Sequence, residues 1–93
     1  MKASPRQVAV ALHYDPERSA APQVIAKGWG HFAEEIRKLA AEHGVPVRQD
    51  GDLAATLSKL DVGELIPEEL YGAVAEVLAF LYRTNQMAGQ RRL

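Results

Sequence analysis

The chain has 93 residues, of which 47% are hydrophobic and 25% charged, and its formal net charge is −1. That balance excludes a disordered chain and any global field drawing the protein to nucleic acid or an anionic membrane. It leaves one small α/β domain over residues 1–93, burying roughly 60–65% of its unfolded surface. With no cysteine there is no disulfide framework, thiolate zinc site or cysteine nucleophile, which suits a reducing cytoplasm. The opening MKASPRQ has no apolar signal core, and charges interrupt every apolar run before the roughly 18 residues a membrane span needs. The chain therefore reads as soluble, meeting a membrane only through a partner.

Met1–Arg6 is a polar lead-in, with Pro5 setting an extended start. A first strand follows over Gln7–Tyr14. Val8, Val10 and Leu12 alternate with Ala9 and Ala11, so both faces can be covered and the run reads as interior rather than edge. Asp15-Pro16-Glu17 is a turn, with Asp15 capping it. The second strand spans Gln23–Lys27, and Gly28-Trp29-Gly30 breaks it.

A helix then runs to His43, with Phe32, Ala33, Ile36, Leu39 and Ala40 as its apolar stripe and Gly44 as its C′ residue. Val45-Pro46-Val47-Arg48 reads as a third strand, which implies a right-handed parallel crossover from the second. Asp52 is placed to cap a short helix bearing Leu53, Leu57 and Leu60, and Val62-Gly63-Glu64 ends it. Ile66-Pro67-Glu68-Glu69 starts the last helix with proline at the first helical position. Leu70, Ala73, Val74, Val77, Leu78 and Leu81 form its broad apolar face up to Arg83. Residues 84–93 are a polar, basic tail expected to fray. The predicted fold is α/β: a small mixed β-sheet of three main strands flanked by three to four helices.

Catalytic motifs find no foothold. His13, His31 and His43 lack the i, i+3 or i, i+4 partner that holds a metal on a helix face, so they read as surface or cap residues and no metal is expected. Glu34-Glu35 and Glu68-Glu69 are sequence neighbours. On a helix they point about 100° apart, which suits solvated faces rather than paired acid–base work. Lys27-Gly28-Trp29-Gly30 lacks the Lys-Ser/Thr pair of a phosphate loop. Trp29 reads as a lid on the core in preference to an exposed contact. Arg83, Arg91 and Arg92 lack an aromatic platform for nucleic acid. Apolar residues close to a proline loop point instead to protein recognition.

Three separate motifs carry a resemblance: VAVALHYDPERSAAPQVIAKG, then AEHGVPV, then IPEELYGAVAEVLAFLYR. In that order and spacing they resemble the cytoplasmic C-terminal domain of the FlhB-like export-switch proteins of flagellar and virulence type III secretion. The resemblance covers about Pro5 to Arg83. It implies a small mixed sheet flanked by helices, and a domain that gates export by receiving substrates and a length-control protein. Family members carry transmembrane segments ahead of this domain and an Asn-Pro-Thr-His motif that self-cleaves when the Asn side chain attacks its own carbonyl. The aligned residues here are Ser4, Pro5, Arg6 and Gln7, a degenerate cleavage motif in which only the proline matches. Serine has no amide nitrogen with which to form the succinimide, and Gln7 replaces the assisting His. The resemblance also implies a substrate-binding patch at Ala21, Pro22, Ala75 and Leu78. Where the family commonly has a double proline before the short helix, this chain has Gly51-Asp52.

The expectation is thus a stand-alone, non-cleaving and non-enzymatic counterpart of the cleaved fragment. It would be cytoplasmic, peripheral at the export apparatus, and would touch the membrane export gate through protein contacts alone. Its partners would be export substrates and a length-control protein, with no cofactor, nucleic acid or membrane insertion. The rival reading is an autoprocessing or small hydrolytic domain using Ser4.

Overall fold

In the computed structural model, which describes residues 7–15, 17–18 and 21–79, two strands pair antiparallel: β1, Val8–His13, and β2, Gln23–Trp29. The turn after β1 starts on Asp15, whose Oδ1 accepts from the Glu17 N–H at 3.1 Å. The Arg18 N–H closes it on the Asp15 carbonyl at 3.0 Å. Along the ladder Ala9 faces Gly28 and Ala11 faces Ala26, so the middle of one side of the pair carries only small residues. A register shift between Ala11 and Leu12 then sets Leu12 opposite Val24.

The helix α1, His31–Glu42, lies on the small-residue side. A Cβ placed on Gly28 would sit 2.7 Å from the Cβ of Phe32, so helix and strand touch where only glycine fits. On the other side Val10, Leu12, Leu53, Leu60, Leu70 and Leu78 pack round a buried centre of Val24, Leu57, Ile66 and Val74. Both faces of β1 are covered, as its alternation predicts. Among the described residues its only strand partner is β2, however, so it is an edge strand and not an interior one.

The third strand is not formed. Val45-Pro46-Val47-Arg48 is irregular, and the predicted parallel crossover and mixed sheet go with it. Proline has no N–H for a ladder, and Val45 and Val47 are 52% and 53% exposed, so little buried area would reward pairing. The free edge of β2 is met instead by residues 63–66. The Val24 N–H donates to the Glu64 carbonyl at 3.0 Å, Gly63 to Val24 at 2.7 Å and Ile66 to Pro22 at 2.9 Å. Gln23 and Leu65 make the single bridge there.

Helix ends follow local chemistry more closely. The strand β2 continues through Gly28 and Trp29, past the predicted break, because both pair with β1; the chain turns at Gly30, with φ 56° and ψ −118°. Gly44 takes φ 69° as the expected C′ residue, and Val45 and Gly44 donate to Ala40 and Ala41 at 2.8 and 3.3 Å. The helix α2, Gly51–Leu57, is capped by Asp50 rather than Asp52; the Asp50 Oδ1 accepts from the Leu53 N–H at 3.1 Å. Asp52 stands two residues past the cap, already inside the first helical turn. At the far end the Lys27 ammonium donates to the carbonyls of Ser58 and Leu60 at 3.0 and 2.7 Å, meeting the orphan acceptors there.

Pro67 precedes a 3-10 turn, Glu68–Leu70, as its N-cap and not its first helical residue. The chain continues as a helix, α3, over residues 71–79. The described fold is therefore a two-stranded antiparallel sheet with three helices. A sheet this narrow cannot cover the whole predicted stripe of α1: Ala33 is buried, while Phe32 and Leu39 are 67% and 52% exposed. Ala73 is likewise exposed on α3. Leu81, Arg83, the lead-in 1–6 and the tail 84–93 lie outside the described residues.

Candidate protein-docking site

Where β2 begins beside α3, the fold leaves an apolar hollow of about 180 Å³. Pro22 and Ile66 line it from the β2 side, and Val74, Ala75 and Leu78 from α3. Tyr14 and Tyr71 complete the lining, 44% and 41% exposed, and neither hydroxyl bonds to a described residue. Pro22 and Leu78, far apart in sequence, meet here because the Ile66 N–H holds the Pro22 carbonyl and thereby fixes where α3 starts.

Three of the four residues singled out as a patch, Pro22, Ala75 and Leu78, share this hollow. Ala21 does not. It is 5% exposed and lines a separate hollow of about 400 Å³ with His13, Asp15, Arg18, Gln23 and Leu65. Ala21 stands in the bend that leads into β2, and Pro22 follows it directly. Tyr14 and Tyr71 were missed, although signals for them exist. Tyr14 keeps the period of Val10 and Leu12, and Tyr71 stands three, four and seven residues before Val74, Ala75 and Leu78.

Of the degenerate motif, Ser4, Pro5 and Arg6 lie outside the described residues. Gln7 is tied in place. Its carbonyl accepts from the Gly30 N–H at 2.7 Å, and with its amide oxygen turned to α1 it accepts from Arg37 Nη1 and Nη2 at 2.7 and 2.8 Å. A glutamine here thus anchors the start of β1 to α1.

The remaining candidates take ordinary positions. His31 does have a partner at i+4, contrary to the sequence reading: its Nε2 is 3.8 Å from Glu35 Oε2, and both side chains are exposed. His13 lines the second hollow, and His43 is the C-cap of α1. Glu34, Glu35, Glu68 and Glu69 are all exposed. Trp29 is 46% exposed with the Lys27 ammonium 5.7 Å from its ring centre, so it is no lid on the core. Among the described residues no three His, Cys, Asp or Glu are grouped to hold a metal ion, and no helix is long and apolar enough to cross a membrane.

Residues 3–81 match the family described as the FlhB HrpN YscU SpaS family. YlqH of Bacillus subtilis, an uncharacterized protein, is 42% identical over 96% of this chain and 96% of its own length. The flagellar biosynthetic protein FlhB of the same organism is 40% identical over 89% of this chain, which spans only 23% of that protein. Among solved structures, the cytoplasmic domain of FlhB from Shewanella putrefaciens superposes with a TM-score of 0.83 at 40% identity, covering 91% of this chain and 67% of that one.

Proposed function

The chain belongs to the FlhB HrpN YscU SpaS family of flagellar and type III protein export, and we propose that it acts there as a non-catalytic protein-binding domain. It receives export substrates and a length-control protein at the cytoplasmic side of the export apparatus and reaches the export gate through protein contacts. The observation that supports this reading is the shared hollow of Pro22, Ala75 and Leu78, walled by two half-exposed tyrosines. Concave apolar sites with aromatic walls suit short linear motifs, because a rigid ring gives contact area at small entropic cost.

The test is Leu78→Asp, which puts a carboxylate where an apolar anchor would sit. Capture of flagellar export substrates should weaken at least about tenfold, since an unpaired polar group buried on binding costs upward of ~1.4 kcal/mol. Leu78 also packs against the core, so Ala75→Asp, at an exposed position, is its companion; it should weaken capture with the melting temperature unchanged. Undiminished capture by both folded variants overturns the reading.

The proposed domain does not cleave itself. Ser4 has no side-chain nitrogen to close the five-membered ring on its own carbonyl, so the Ser4–Pro5 bond should persist. Mass spectrometry of purified protein checks this: the 10.2 kDa chain stays intact on storage at neutral pH, whereas a break after Ser4 would establish the rival autoprocessing reading.

A further inference from the structure

We propose that the apolar hollow selects segments in which the anchoring apolar side chain is flanked by Lys or Arg. This rests on the docking reading above and names the chemistry of what docks. The lining residues Tyr71, Ala75 and Leu78 form one stripe of α3, and Glu68 stands one turn before Tyr71 on the same stripe. Glu69 and Glu76, seven residues apart, share the adjoining stripe. All three acids are exposed, and none makes an ion pair or side-chain hydrogen bond with a described residue.

From residue 68 to residue 79 the chain has these three acids and no Lys, Arg or His. The opposite wall adds no cation. Among its described residues Tyr14 and Pro22 are neutral, and Asp15 and Arg18 both line the other hollow. The helix start offsets part of the charge on Glu68 and Glu69, but Glu76 lies beyond the first turn, where that effect has faded. Tyr14 and Tyr71 add two half-exposed aromatic residues, whose rings attract a cation for the same electrostatic reason. Apolar floor, aromatic walls and an acidic rim with no countercharge among the described residues thus complement an apolar residue with a basic neighbour, and they repel an acidic one.

The experiment uses three fluorescein-labelled decapeptides that share one central Phe-Leu pair and differ only in two flanking residues: Lys, Gln or Glu. Anisotropy titrations at 50 and 300 mM NaCl read the affinities. At low salt the Lys-flanked peptide should bind about fivefold tighter than the Gln-flanked one, and the Glu-flanked peptide more weakly still. The spread should contract at high salt. Glu68→Gln with Glu76→Gln should bring the Lys and Gln peptides within about twofold, leaving the Gln peptide's affinity unchanged. Equal binding of all three peptides, still lost in Leu78→Asp, overturns the acidic selection while the docking site stands. Absence of binding by every peptide overturns the docking reading, and this inference with it.

Discussion

Ile66→Ala lowers the stability of the protein by about 3 kcal/mol, a fall in melting temperature of about 12–24 °C for a domain of this size. Ile66 is 2% exposed and touches the buried centre made by Val24, Leu57 and Val74. Its removal leaves a cavity that backbone movement cannot close, because the Ile66 N–H is held on the Pro22 carbonyl at 2.9 Å. Ile66→Val is the graded control, at about 1 kcal/mol. Thermal melts followed by circular dichroism give the answer; a shift below about 4 °C for the alanine variant would mean that this residue is not central to the core. Because Ile66 also lines the apolar hollow, the proposed docking role predicts that the same variant loses substrate capture at temperatures where it remains folded.

Gly28→Ala costs about 2 kcal/mol, although it adds a single methyl group to a strand. The new Cβ would lie 2.7 Å from the Phe32 Cβ and 3.1 Å from its backbone carbon, neither of which is the free end of a side chain. The whole of α1 must move off the sheet, and the Ala33 contact beneath it loosens. A melting temperature about 8–16 °C lower is expected, again by the scaling for small domains. The single tryptophan, Trp29, is the next residue and reports the displacement by fluorescence. An alanine variant as stable as the parent, with an unchanged Trp29 spectrum, would show that the close approach of helix and strand is not required.

The residues that pack closest were legible only in part. The alternation Val8–Leu12 correctly announces a strand covered on both faces, and the spacing of Leu53, Leu57, Val74 and Leu78 announces core positions that the structure bears out. The apolar hollow was half legible: Pro22, Ala75 and Leu78 do meet in it, while Ala21 lines the second hollow and the two tyrosines of the lining were unseen. Three motifs in order were enough to recognise the family, whose model matches residues 3–81.

What the amino-acid sequence determined by itself is local: the turn at Asp15, the glycine end of α1, the strand and helix periods, and the absence of cysteine chemistry. These depend on dihedral preference, on hydrogen bonds within a few residues, or on covalent chemistry. What only the tertiary structure decided is pairing and exposure. Val45–Arg48 has the composition of a strand, yet residues 63–66 take the edge of β2, because a ladder goes to the segment that can also bury a side chain, as Ile66 does. Phe32, Leu39 and Trp29 look like core, yet stay exposed, because a sheet of two strands has no area left to cover them.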